Sequence, residues 1–218
     1  MDLIAIKESK LACFVGKHRQ TLVNIYVFIN VAGFFGWSYY KNPETLRFDF
    51  IEMAYLLHNV IMVVLFLVRK NYKSIDNNLF HQSVAAFAFF SGLAFLGQAQ
   101  TADPTLLLIS RVLIGASWTI SIATLLNLGR SFGVLIALRE VKTGGLYSIV
   151  RHPMYATDLL FRIGFAVSHV TVPTMVLLIL TIAAYVYRAL LEERFLTQAP
   201  EYREYMLKVK YRFVPYIY

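Results

Sequence analysis

The residues best equipped for chemistry fall in two groups. The first is Gly145-Leu-Tyr-Ser-Ile-Val-Arg-His-Pro-Met-Tyr155, a short polar stretch carrying Arg151 and His152 between two apolar segments. The second, Arg188-Ala-Leu-Leu-Glu-Glu-Arg194, closes another apolar run. Arginine offers a planar fork that suits carboxylates, and glutamate answers cations and hydroxyls. A spacing of four puts Arg188 and Glu192 on one helical face, about one turn apart. Pro153 fixes its own φ and biases His152 toward an extended conformation, which delays the following helix and holds the polar groups of the loop in place. The expectation is that the two groups meet at one membrane surface and build one pocket.

The elements that must position them are apolar. Of 218 residues, 58% are hydrophobic and 15% aromatic, with only 16% charged and a mean hydropathy of +0.56. That composition belongs to an integral membrane protein rather than a soluble domain. A crossing helix needs about 20 apolar residues. The candidates are Thr21 to Tyr40, Ile51 to Val68, Gln82 to Gln98, Thr105 to Leu128, Tyr155 to Ser168 and Val172 to Leu191. The fifth is short, and the brief break before Pro173 makes the last two a helical hairpin. The expected fold is an all-α polytopic membrane bundle of about six segments. A single integral membrane domain fills residues 1–218, with membrane helices over 1–128 and a catalytic, cofactor-binding region over 129–218. No repeat period is present.

Charge placement sets the orientation. Of the 21 Lys and Arg, 17 fall in the N-terminal arm, the second and fourth loops and the C-terminal tail, while only Lys41 and Arg47 lie in loops of the other side. Cytoplasmic loops retain positive charge, so both termini and both polar groups are expected in the cytoplasm. The net charge of +8 follows from this topology and from attraction to anionic headgroups, and does not call for nucleic acid. Asp2 and Glu8 interrupt the first 20 residues, which read as an interfacial segment rather than a cleavable signal. Cys13 is the only cysteine, and the five histidines lack metal-ligand spacing, so no metal site is expected. Phosphate-cradling glycine loops and a nucleophile elbow are also missing from the sequence.

From Leu128 to Pro215 the chain resembles the isoprenylcysteine carboxyl methyltransferase family, which is similar in turn to the phospholipid N-methyltransferases. The residues that carry the likeness are Gly145-Leu-Tyr147, Val150-Arg-His-Pro-Met-Tyr155, Arg188 with Glu192-Glu193 and Leu196, then Tyr202, Tyr205 and the closing Tyr-Arg-Phe-Val-Pro215. The resemblance implies S-adenosylmethionine bound at the cytoplasmic face, its methyl group directed at a lipophilic acceptor that arrives through the bilayer. It further implies cofactor contacts from Arg139 to Lys142, Tyr147, Arg151, His152, Pro153, Tyr155 and Glu192, and an acceptor-orienting role for Arg188. The segment Arg139-Glu-Val-Lys142 departs from the His-x-Leu-Val that the family often has there.

Methyl transfer is an in-line displacement at a sulfonium, so positioning matters more than acid or base strength. A prenylcysteine-like carboxylate needs no base; a lipid amine must lose a proton, for which Glu193 or His152 is available. Nicotinamide-dependent membrane reductases similar to the sterol reductases, and a non-catalytic lipid-binding or transport protein, are the alternative readings. Glu52, Arg111, Asp158 and Arg162 are ionisable residues in or beside apolar segments, and such charges default to functional candidates. Asp158 and Arg162 are four apart and suit a mutual ion pair, while the place of Arg162 just beyond Tyr155 makes it a candidate for the polar head of the lipid substrate. His58 reads as an interhelical hydrogen-bonding residue.

Overall fold

The computed structural model describes residues 29, 57, 58, 60–62, 64, 65, 68–70, 72–92 and 103–217. The N-terminal arm, the span from Thr21 to Tyr40 apart from Ile29, much of the span from Ile51 to Val68, and the end of the third span lie outside the described residues.

The described chain is mostly helical. In order it forms β1 (Ser74–Ile75), α1 (Leu79–Phe90), α2 (Pro104–Leu128), β2 (Ala137–Leu138), α3 (Pro153–Ser168), α4 (Val172–Leu196) and α5 (Pro200–Lys208). Among the described residues, two helices are long and apolar enough to cross a membrane, α2 with its 3-10 extension to Ser131 and α4. At about 1.5 Å per residue, the 25 residues of α4 reach about 37 Å. Helix α3, with 16 residues, is shorter, as its sequence indicates.

Helices α1, α2 and α4 start at a capping side chain, and α2 to α5 carry a proline of fixed φ in the first turn. Asp103 accepts from the amides of Thr105 and Leu106 at 2.8 and 3.2 Å, with Pro104 next to it. Asn78 caps α1 and Thr171 caps α4 in the same manner. Such side chains satisfy amides that the first turn leaves without partners. Helix α2 stops at Gly129, whose φ of +54° suits glycine.

Helix α2 packs most extensively on α3, and α1 on α4. The α2–α3 seam is close because it is lined with small residues. Gly164 leaves no room for a Cβ, which would stand 2.9 Å from the Cβ of Leu113. Ser117 donates across the seam to the carbonyl of Thr157 at 2.8 Å, and Ser110 to Ser168 at 3.0 Å. Without a hydrophobic drive between helices in lipid, close backbone approach and such bonds hold segments together.

The polar end of this bundle is tied by short connections that the sequence does not announce. Strands β1 and β2 form a two-residue antiparallel ladder, a small departure from an all-α fold. Gln82 of α1 grips it: its side chain donates to the carbonyl of Ile136 at 3.0 Å and accepts from that residue's amide at 3.1 Å. The C-terminal tail returns over the loop before α3, where Arg151 and His152 donate backbone amides to the carbonyls of Tyr211 and Arg212 at 2.9 and 2.8 Å.

Candidate active site

One concave pocket opens at the end of the bundle where α2 ends, α3 begins and α4 ends, with about 940 Å³ of space including its mouth. Its wall takes residues from both polar groups: Tyr147, Arg151, His152 and Tyr155 from the first, Arg188 and Glu192 from the second. Arg139, Glu140 and Lys142 edge it, and Tyr202 and Tyr205 of α5 line one side.

Tyr155 joins the two groups. Its hydroxyl donates to Glu192 in a short hydrogen bond, the guanidinium of Arg188 lies 4.7 Å from its ring centre, and the His152 ring stacks on it at 5.1 Å. Arg188 and Glu192, one turn apart on α4, thus both reach the pocket. Arg188 is 3% exposed. Its two terminal nitrogens donate to the carbonyls of Ala85 at 2.9 Å and Val134 at 2.5 Å, so it fastens α1 and the segment after α2 to the site.

Glu193 points elsewhere. It does not line the pocket but is buried behind it, accepting from Arg151 Nε at 2.7 Å and Arg212 Nε at 3.0 Å, with His152 Nε2 at 3.1 Å. Arg151 also donates to the carbonyls of Val209 and Lys210 at 2.9 and 3.0 Å. A buried carboxylate with several cationic donors is a structural joint as much as a reactive group. Here it locks the loop, α4 and the tail together.

Pro153 occupies the first turn of α3 and is not part of the pocket wall. Arg162 lies deeper, 3% exposed, with its guanidinium on the carbonyls of Asp158, Ala88 and Phe89 at 2.9, 3.3 and 3.4 Å. It caps the end of α1 and also lies outside the wall. Asp158, by contrast, does line it.

Sequence reasoning missed the contribution of Phe89 and of the run from Ser131 to Leu138. The only signal was Gly133 in an otherwise bulky stretch: a Cβ there would lie 2.5 Å from a guanidinium nitrogen of Arg139, so the missing side chain gives that arginine its place.

Several groups at the wall are ready for a polar ligand. Ser131 and Tyr202 line the pocket, and their buried hydroxyls have no hydrogen-bond partner, a costly condition. Burial pushes the Tyr147 and Tyr202 hydroxyls above the usual tyrosine range, so both stay neutral. Tyr205, raised for the same reason, donates to the carbonyl of Tyr147 at 2.7 Å and fixes α5 to the loop. Hydrogen bonds from Lys142 and Lys70 lower Glu140 to about 2. No group of three or more metal-ligating side chains occurs among the described residues.

Residues 105–202, which span α2 to the start of α5 and most of this wall, match a family model described as phospholipid methyltransferase. No curated protein matches the sequence. Over that span the chain is similar to the phospholipid methyltransferases, a family of membrane methyltransferases related to the isoprenylcysteine methyltransferases.

Proposed function

We propose that the protein is a multi-pass membrane methyltransferase that uses S-adenosylmethionine and methylates the amino group of a lipid. Both termini and the active site face the cytoplasm, and residues 129–218 form the catalytic part of a single membrane domain. The observation that carries this reading is that both polar groups line one pocket, within the segment that matches the methyltransferase family.

The wall residues fit the methyl donor. Its carboxylate, ammonium and ribose hydroxyls need opposite charges or hydrogen bonds once buried. Arg139 and Lys142 offer cations, Glu192 an anion, and Ser131 and Tyr202 hydroxyls without partners. Tyr147, His152 and Tyr155 supply aromatic surface. The donor supplies an electrophilic methyl group on a sulfonium. Arg151 reaches the wall while bonded to Glu193, so it adds positive potential and holds the loop.

The amine acceptor follows from the matched family model, described as phospholipid methyltransferase. Each terminal nitrogen of Arg188 donates to a backbone carbonyl. Its role is then to hold Tyr155 and the floor of the site. Arg162, committed to carbonyls at membrane depth, supports the same floor, and Glu193 keeps the loop and α4 in register.

Calorimetry on detergent-purified protein with S-adenosylmethionine, S-adenosylhomocysteine and reduced nicotinamide nucleotides, each alone, tests the donor. Binding of the first two and not the third is expected; preferential nicotinamide binding overturns the reading in favour of a reductase. Transfer of labelled methyl groups to phosphatidylethanolamine, compared with a prenylcysteine, tests the acceptor.

A further inference from the structure

Asp158 stands three residues beyond Tyr155 on α3 and lines the pocket at its membrane-facing end. Its side chain keeps 21% of its surface open. The ion pair with Arg162 that their spacing suggests is barely formed: the nearest approach is 3.9 Å, and the guanidinium of Arg162 is aimed at carbonyls instead. The close partner of Asp158 is a neutral hydroxyl, Tyr185 Oη at 2.5 Å.

The other ionisable groups around it are also engaged or turned away. Arg188 is within charge-interaction reach, yet its terminal nitrogens are held elsewhere. Tyr155 bonds Glu192. His58, from the apolar segment before β1, is 4% exposed and lies against Trp118 at 4.6 Å. Its field reaches Asp158, but neither of its ring nitrogens has a hydrogen-bond partner. A carboxylate at this depth is costly without a committed cation. Here the nearest cation, Arg162, stands 3.9 Å away and is shared with backbone carbonyls, and Asp158 lines the cavity.

We propose that Asp158 is the anchor and proton acceptor for the methyl-accepting amine, oriented by the hydroxyl of Tyr185; this rests on the methyltransferase reading above. The ammonium form of the acceptor enters from the bilayer and pairs with Asp158. In a site of low polarity, a carboxylic acid beside a neutral amine is favoured relative to two buried charges. Asp158 therefore takes one proton and leaves a lone pair on nitrogen. That pair forms the new N–C bond as the C–S bond breaks, its electrons staying on sulfur as the neutral thioether. The product is the methylated ammonium, and Asp158 returns its proton to water through the pocket mouth.

The test uses full-length protein in mixed micelles with phosphatidylethanolamine and labelled S-adenosylmethionine. Asp158→Asn should lower kcat/KM by about a hundredfold or more, the usual size of a lost acid–base group. It should also weaken binding of lysophosphatidylethanolamine measured without donor, and leave S-adenosylhomocysteine affinity unchanged. Tyr185→Phe keeps the carboxylate but removes the hydroxyl that orients it, so kcat should fall about tenfold while S-adenosylhomocysteine affinity stays at the wild-type value. A purely structural tyrosine would leave kcat unchanged or lower donor affinity along with it.

Wild-type protein that methylates no amine at all overturns the proposed function. Wild-type protein that does methylate phosphatidylethanolamine, with Asp158→Asn equally active, overturns only the role given to Asp158. If Asp158→Asn fails to bind S-adenosylhomocysteine, it has misfolded and Tyr185→Phe decides: an unchanged kcat sinks the proposal, and a lowered kcat with intact S-adenosylhomocysteine affinity supports it.

Discussion

Glu192 and Glu193 are neighbours in sequence and lie on different sides of α4. Glu192 is half-buried at the pocket wall, bonded to Tyr155; Glu193 is buried among Arg151, His152 and Arg212. Their substitutions should therefore separate. Glu193→Gln leaves buried cations without their counter-ion and should cost about 3–5 kcal/mol of stability, seen as a lower midpoint of thermal unfolding in detergent. Glu192→Gln should weaken S-adenosylhomocysteine binding in calorimetry while leaving the unfolding midpoint near that of wild type. Equal loss of stability in both variants would contradict the division of labour. Both glutamates were legible as site candidates, because their spacing from Arg188 is a property of any helix. The family resemblance singled out Glu192 for the cofactor contact, but spacing alone could not say which of the two faces the cavity. That choice depends on Arg212 of the tail, which folds back from 19 residues away to meet Glu193.

At the scale of elements, the packing of α2 on α3 sets where the two polar groups meet. Gly164 is the tightest point of that seam, with Leu113 and Ile114 at 2.9 to 3.2 Å from any added Cβ. Gly164→Val should force the helices apart and cost about 1–3 kcal/mol, a typical overpacking penalty, again measured by thermal unfolding. Activity should fall with it, since Met154 and Tyr155 ride on α3. Alternating apolar runs and prolines revealed α2 and the α3–α4 hairpin, since these are local features. The β1–β2 ladder and the grip of Gln82 on Ile136 were hidden, because both join residues far apart in sequence through only a few hydrogen bonds.

The pocket edge belongs to the same scale. Glu140 bridges Lys70 at 2.6 Å and Lys142 at 2.8 Å, and so ties the segment after β2 to the connection before β1. Its folded-state pKa of about 2 lies below the ordinary value of 4.5. A depressed carboxylate stabilises the fold above its unfolded pKa, and that contribution fades as pH falls from about 4.5 toward about 2. The bridge is exposed, so the effect is small. Wild type should lose slightly more stability than Glu140→Gln across that acid window, and an identical pH dependence in the two proteins would remove the bridge from the account.

For the whole molecule, the direction of the bundle in the membrane follows from the placement of its charges. The pocket end gathers Arg130, Arg139, Lys142 and Arg151 with the basic tail, whereas the opposite ends of α2 and α3 meet near Asp103 and His169. An excess of Lys and Arg in cytoplasmic loops orients helical membrane proteins, so the pocket should face inward and draw its lipid substrate from the inner leaflet. Because Cys13 is the only cysteine, replacing it with serine gives a background for site-directed labelling. Thr105→Cys, exposed at the start of α2, should react with an impermeant maleimide on intact cells. Ser148→Cys, exposed in the loop before α3, should react only after permeabilisation. The reverse pattern would place the site on the outer face, away from the cytoplasmic supply of methyl donor, and the proposed activity would then lack its co-substrate.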